Sequence, residues 1–433
     1  MSSSEKNLGF KELVAIAVGG MVGGGIFTIL GIAVSIVGFM APFAIALGGV
    51  IAFFAAYSYV KLGVYYKDEG ATYSFFKRTY PDSHMAASFI GWYTIFGYIS
   101  TLALYAYTFS SYSISGFAFA DNEVIRKLVA IAIIWVFTFI NLWSVKGMGK
   151  LEDMMVYAKL VILFIISLAL IYYGKTDFNT FTHIVAKDFE GSSMLNILIV
   201  ASVTFVAYEG FQLVINAVNE MDMPEKNIPR AIYTSLILVA LIYFIISMGA
   251  VLAITTDELV RNKEYALASG AEDIMGIWGR NLVIIGAILA TSSAISGTMF
   301  GSSRQMARIA DDGYLPKILS LRKEHIPTYA ILAMSGTATL LILIGGLQLI
   351  LEFGSITFLL VSLLMSIANF KIRKQTNSST LFTLIAIFGL LLGTIFILYY
   401  EFQTKPEQLL FMVGLYALLS VGAWSYAKVQ KVI

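Results

Sequence analysis

The sequence predicts an all-α polytopic membrane protein with about twelve transmembrane helices, the first and sixth broken at the midplane. Three observations carry this expectation. Of the 433 residues, 58% are hydrophobic and 13% charged, and the mean hydropathy is +0.80. A soluble domain is about one quarter charged, so this chain has too little polar surface to cover a water-facing globule. The apolar residues also fall in long blocks such as 125–139, 160–173 and 231–254, and about 20 such residues span the hydrocarbon as a helix. Finally, glycine-rich or charged interruptions sit inside the first and sixth blocks.

Apolar runs between charged or Pro/Gly/Asn-rich breaks give spans near 10–36, 40–66, 85–114, 124–143, 152–173, 195–218, 231–254, 280–308, 327–346, 348–371, 380–400 and 407–428. A β-barrel is excluded, because its strands alternate polar and apolar residues over about ten positions. With the N-terminus inside, 20 of the 29 Lys and Arg fall in cytoplasmic loops and 8 in outer ones, Lys159 being the remainder. Both termini are then cytoplasmic, at the cell membrane. The start, 1–20, carries no cleavable signal, since its apolar run continues into a full span. The whole chain, 1–433, reads as one transmembrane domain with a short tail over 1–9. The outer segments near 174–194 and 255–279 carry amphipathic pieces that could lie on the membrane or close over a vestibule.

Cysteine is absent, and His84, His183 and His325 are far apart, so neither a metal cluster nor a thiol site is expected. No cofactor is called for. The net charge of +2 comes from cations in short loops and points to no nucleic acid. A membrane enzyme would need an intramembrane nucleophile with its base, and a channel would show a ring or repeated filter loops. Neither pattern is visible.

The first span holds Gly19, Gly20, Gly23, Gly24 and Gly25, five glycines in seven residues. Each costs about 1 kcal/mol relative to Ala inside a helix, and three in a row exceed what close helix packing needs. The sixth span holds Phe205-Val206-Ala207-Tyr208-Glu209-Gly210-Phe211-Gln212, a Gly beside a carboxylate. Irregular backbone at membrane depth survives only where protein or a watered cavity serves its N–H and C=O groups. Breaks five spans apart point to inverted repeats with a midplane site. Half-helix N-termini there offer N–H groups to a carboxylate, and freed carbonyls accept from an ammonium. An amino acid presents both.

The residues at this point resemble the amino acid–polyamine–organocation (APC) permeases, in a series of motifs in order along most of the chain. The glycine run before Ile26-Phe27 is similar to that family's first helix, and Ala56 to Gly63 to the end of its second. Gly70-Ala71-Thr72-Tyr73 and Gly91-Trp92 resemble its loop and entry into the third helix. Phe205 to Phe211, with Glu220, Pro224 and Asn227 to Ile232, resembles the sixth helix and its following loop. Ser303-Arg304 and Ala310 to Pro316 resemble the eighth helix and its exit. The resemblance implies two inverted five-helix repeats, helices 1–5 (10–173) and 6–10 (195–371), plus two peripheral helices (380–428), working by alternating access. By position, Gly23, Gly24, Gly25 and Ile26 would receive the substrate carboxylate. Phe205, Ala207 and Tyr208 would meet its ammonium, and Tyr93 would form part of the pocket wall.

Lys159 is the charge least expected in an apolar span, at a cost of about 2.5–3.5 kcal/mol at the bilayer centre. The plain alternative is that its stem snorkels towards Asp153, about 9 Å away along the helix. Some proton-coupled relatives carry a lysine at this place, its ammonium standing where sodium-coupled members bind their ion. The resemblance then gives Thr291, Ser292 and Ser293 as its hydroxyl partners and protons as the coupling ion. Glu209 is read either as an acceptor for broken backbone or as a proton or ammonium site, in a place where many relatives have no charge. Gln212 stands where some carriers of basic substrates place an acid, which favours a neutral amino acid. Exchange of amino acids without ion coupling, and a transporter-like sensor, are the competing readings. Oligomeric state is left open.

Overall fold

A computed structural model describes residues 8–143, 148–174, 178–191, 194–262, 264–323 and 326–430. His325 lies outside them, as do Lys6, Lys146, Lys175, Lys263 and Lys431 of the charge count. The described residues form helices joined by short loops, and nine runs of helix are long and apolar enough to cross a membrane.

The first expected span is two helices, α1 (Phe10–Met21) and α2 (Gly25–Val37), followed after one turn by α3 (Ala41–Tyr66). A short amphipathic α4 (Ala71–Thr79) precedes α5 (His84–Ile114), α6 (Glu123–Trp143) and α7 (Met148–Tyr172). The expected amphipathic outer piece is α8 (Phe178–Gly191), lying against the turn at Gly38–Met40. The sixth span is α9 (Met194–Val203), a 3-10 turn over Thr204–Tyr208, and the single helical turn α10 (Leu213–Asn216). Then come α11 (Pro224–Ala253), α12 (Thr256–Arg261), α13 (Ala266–Asp311), α14 (Thr328–Ile344), α15 (Leu347–Lys371), α16 (Thr380–Thr404) and α17 (Pro406–Gln430). The count of about twelve takes α2 and α3 as separate spans and includes α6 and α14, which are not among the nine runs.

Two boundaries differ from expectation. Helix α11 begins at Pro224 rather than near 231, because a proline fits the first helical turn, where its missing N–H has no partner to lose. Helix α13 begins at Ala266 rather than near 280 and bends at Gly276, whose φ of 65° only glycine adopts without strain. Glu272 and Arg280, which read as loop charges, pair with each other at 2.9 Å across that bend.

The closest packing repeats every five spans. Helix α5 packs on α13 and α3 on α11, each pair mapping onto itself. The contacts of α5 with α15 and with α6 match those of α13 with α7 and with α14, and α3–α9 matches α11–α1. Because five is odd, the second set crosses in the opposite sense, as inverted repeats do. Helices α16 and α17 lie outside this scheme, against α15, α3 and α5.

The motifs near residues 70, 91 and 313 meet at one end of the bundle. Asp312 accepts from Tyr73 Oη at 2.8 Å and pairs with Lys77 at 2.8 Å, while Trp92 Nε1 donates to Tyr314 O at 2.8 Å. Next to them, Leu8 pairs with Met221, exchanging backbone bonds with Glu220 and Asp222 at 3.2 Å each.

Candidate functional site

Between α1 and α2 the chain unwinds over residues 22–24. The N–H of Gly23 turns to Met21 O at 2.9 Å, so Gly19 O loses the donor four residues ahead that a continuous helix would supply. Lys159 Nζ takes that place at 2.8 Å and also donates to Ser293 Oγ at 2.9 Å. The Lys159 side chain is fully buried, so the snorkelling alternative is not the arrangement seen. On the far side of the break, α2 starts without a side-chain cap. The N–H groups of Gly25, Ile26 and Phe27 have no hydrogen-bond acceptor among the described residues, which leaves a positive helix end facing the break.

In the sixth span the chain turns extended at Glu209 and then takes φ 124° at Gly210. A Cβ on Gly210 would stand 2.6 Å from the carbonyl carbon of Gly20 and 2.8 Å from Met21 N, so the two broken spans touch backbone to backbone here. Gln212 organises this bend. Its Oε1 accepts from Gly210 N at 3.1 Å, and its Nε2 donates to Glu209 Oε2 at 2.8 Å and Tyr98 Oη at 3.3 Å. Tyr243 of α11 bridges the breaks, its hydroxyl lying 2.8 Å from Met21 O and 3.1 Å from Ala207 O.

A narrow cavity lies beside this junction. Its walls are Gly20, Glu209, Gly210, Leu213 and Asn216 of the broken spans, Tyr98, Thr101 and Tyr105 of α5, Thr298, Gly301, Ser302 and Gln305 of α13, and Phe358 of α15. It sits on the side of the breaks from which α1 starts. Glu209 is the acid in this wall, and its Oε1 has no hydrogen-bond partner among the described residues. Towards the opposite side the glycines are closely packed. Cβ atoms would stand 2.8 Å from Ala294 Cβ at Gly23, 2.9 Å from Thr108 Oγ1 at Gly24 and 2.7 Å from Ala207 Cβ at Gly25. Phe27 then meets Tyr112 edge-on at 5.4 Å.

The expected residues are thus partly brought together. Gly23, Gly24, Gly25 and Ile26 form the break, with Ala207 directly against Gly25. Phe205 is fully buried, and Tyr208 turns its ring over Gly49 and donates to Ile45 O at 2.8 Å, so it braces α3 and does not line the cavity. Tyr93 lies apart from the cavity. It stacks on Tyr416 at 5.7 Å and bonds Ser420 Oγ at 3.0 Å. Five residues along the same helix, about 140° round, Tyr98 forms the wall instead. Of the hydroxyls expected at Lys159, Ser293 meets it, whereas Thr291 donates to Ala287 O at 2.6 Å and turns its methyl group towards Gly24. Ser292, about 100° round the helix from Ser293, is half-buried.

Sequence reasoning missed the two polar stripes of the cavity. Tyr98, Thr101 and Tyr105 on α5, and Thr298, Ser302 and Gln305 on α13, recur at three- and four-residue spacing and so share a helix face. A polar stripe on an otherwise apolar span is readable in advance.

The chain matches the family model described as amino acid permease over residues 8–420. It is similar to the inner membrane transport protein YbaT of Escherichia coli, with 26% identity covering 95% of this chain and 94% of the relative. It is also similar to two Bacillus subtilis proteins at 24% identity. These are the branched-chain amino acid permease BcaP, covering 86% of this chain and 82% of the relative, and the serine/threonine exchanger SteT, covering 86% and 84%. A match over nearly the whole chain, on a helical frame broken in its first and sixth spans, makes this multi-pass membrane protein a member of the amino acid permease family.

Proposed function

We propose that the chain is a secondary active transporter of the cell membrane, both termini cytoplasmic, that moves neutral amino acids in symport with protons by alternating access. The observation that carries the coupling is the contact of Lys159 with Gly19 O and Ser293 Oγ. As an ammonium, Lys159 fastens the end of α1 to α13 by charge-assisted hydrogen bonds, which are about twice as strong as neutral ones. Its proton loss weakens that fastening and releases the half-helix that carries the substrate site. Protonation of Lys159 and the position of α1 are then two readings of one equilibrium.

The substrate carboxylate takes the N–H groups of Gly25, Ile26 and Phe27, and its ammonium takes freed carbonyls of the sixth span and Glu209. The side chain extends into the cavity between Tyr98, Tyr105 and Phe358. On the charge-bias orientation the cavity faces the cytoplasm, so the arrangement is inward-facing. The similarity to BcaP, a branched-chain amino acid permease, and SteT, a serine/threonine exchanger, supports that substrate class, since these side chains are uncharged.

SteT is an exchanger, and a permanently charged Lys159 would hold α1 equally well. Uptake of a labelled amino-acid mixture into sodium-free proteoliposomes, with and without an inward proton gradient and nothing loaded inside, separates the readings. Gradient-dependent accumulation is expected. Uptake only after amino acids are loaded inside would make the protein an exchanger.

A further inference from the structure

Far from this site, the carboxyl groups of Glu352 in α15 and Glu401 in α16 are fully buried and within hydrogen-bonding reach of each other. Their surroundings are unequal. Glu352 Oε1 accepts from Gln348 Nε2 at 2.7 Å, Oε2 accepts from Gln408 Nε2 at 2.5 Å, and Lys405 Nζ stands 4.0 Å from Oε1. Both oxygens of Glu352 are served as a carboxylate's should be. Neither oxygen of Glu401 receives a donor from any described residue. An ionised Glu401 would be a buried charge with no donor, pressed against a like charge. A neutral Glu401 needs an acceptor for its O–H, and Glu352 supplies one.

We propose that Glu352 and Glu401 form a proton-binding site distinct from Lys159, with the proton on Glu401 and donated to Glu352, and that its loss slackens the α15–α16 contact. The proton has a way out. Gln348, Lys405 and Gln408, which surround Glu352, line a second cavity with Tyr107, Glu123 and Glu264, on the face opposite the start of α1. Deprotonation passes the proton to water there and leaves two carboxylates with one ammonium, Lys405, beside them. The other titratable groups facing the pair are Tyr400 of α16 and, across that cavity, Glu123 and Glu264, both paired with Arg126. Repulsion within the pair acts on a helix that touches the transport path. Ile350 O of α15 accepts from Ser100 of α5 at 2.8 Å, and Phe358, further along α15, lines the substrate cavity.

The test uses the purified full chain in detergent, without any transport assay. Infrared spectra should show the C=O stretch of a buried protonated carboxyl, absent in Glu401→Gln. The folded state holds a proton that the unfolded chain has released, so the melting temperature of the wild type should fall as pH rises from about 6 to about 9. In Glu401→Gln, which keeps the neutral donor and removes the titration, that fall should be lost. Glu352→Gln leaves one carboxyl at the pair and should lose the fall as well, which covers a failure of the first variant to fold. A folded variant of either kind that keeps both the wild-type band and the wild-type fall would overturn the proposal.

Discussion

Lys159 Nζ lies 2.8 Å from the carbonyl oxygen of Gly19, and thereby supplies α1 with the donor that its own backbone has turned away. The lysine is part of how the helix is broken. Gly19 faces α7, where a Cβ would meet Val156 at 3.0 Å, and Gly20 faces α10, where one would meet Leu213 at 2.6 Å. The end of α1 is therefore held between Lys159 on one side and the cavity on the other.

Replacing Lys159 should expose this double role. Lys159→Ala leaves Gly19 O and Ser293 Oγ without their donor, at a cost of about 1–3 kcal/mol for a buried unpaired group. Lys159→Met keeps much of the volume and removes only the charge and the donor. Both variants should lose gradient-driven accumulation in proteoliposomes. Full accumulation by a folded Lys159→Met would remove the lysine from the coupling step.

The glycines at the junction should resist any Cβ. Gly210→Ala would bring the new carbon within 2.6 Å of backbone on α1 at a φ of 124°, and Gly25→Ala would meet both Cβ and Cα of Ala207. Overpacking of this kind costs about 1–3 kcal/mol, and more where backbone must move. Thermal unfolding should show both variants less stable and uptake should be abolished. Gly389→Ala is the control. Nothing lies within 4 Å of a Cβ there, and an alanine inside a helix should stabilise by about 0.5–1 kcal/mol.

Glu209 Oε1 faces the cavity unpartnered while Gln212 holds Oε2. Glu209→Gln preserves the shape and removes the charge, so uptake should lose affinity for the α-ammonium group and its pH profile should shift. Competition by amino acids and by their deaminated analogues, measured at several pH values, checks this. An unchanged ranking and an unchanged profile would return Glu209 to a purely structural role.

Outside the spans, Glu258 of α12 gives a pH dependence of opposite sign to that of the buried pair. Burial works against its charge, but donors from Ser269, Asn262 at 2.6 Å and Arg261 at 2.5 Å outweigh it and hold the carboxyl below its usual range. Its contribution is therefore present above the unfolded value and lost as pH falls through the folded one. Glu258→Gln should lower the melting temperature near pH 7, and the difference from wild type should close towards about pH 3.

The breaks in spans one and six were legible because glycine runs and midspan charge are costly in a membrane, so their presence asks for a reason. Lys159 was legible on the same ground. The facing of individual aromatics was not. Tyr93 and Tyr98 look alike in the sequence, and only the packing of α17 against α5 assigns one to a helix contact and the other to the cavity. Glu352 and Glu401 escaped notice because an acid near the end of an apolar run reads as an interface charge until a neighbouring helix is seen to bury it. The start of α13 was missed because Glu272 and Arg280 satisfy each other inside a bent helix.

The Tyr243 hydroxyl stands between Met21 O and Ala207 O, one on each broken span. A phenol has one hydrogen to give, so the two carbonyls are rivals for it, and Met21 O, which also accepts from Gly23 N at 2.9 Å, can spare it more easily than Ala207 O. An incoming amino acid carries three such hydrogens on its nitrogen. Its arrival would end the rivalry, freeing the tyrosine to commit to one partner, so that occupancy of the site is announced at the joint between the two halves by the choice of a single hydrogen.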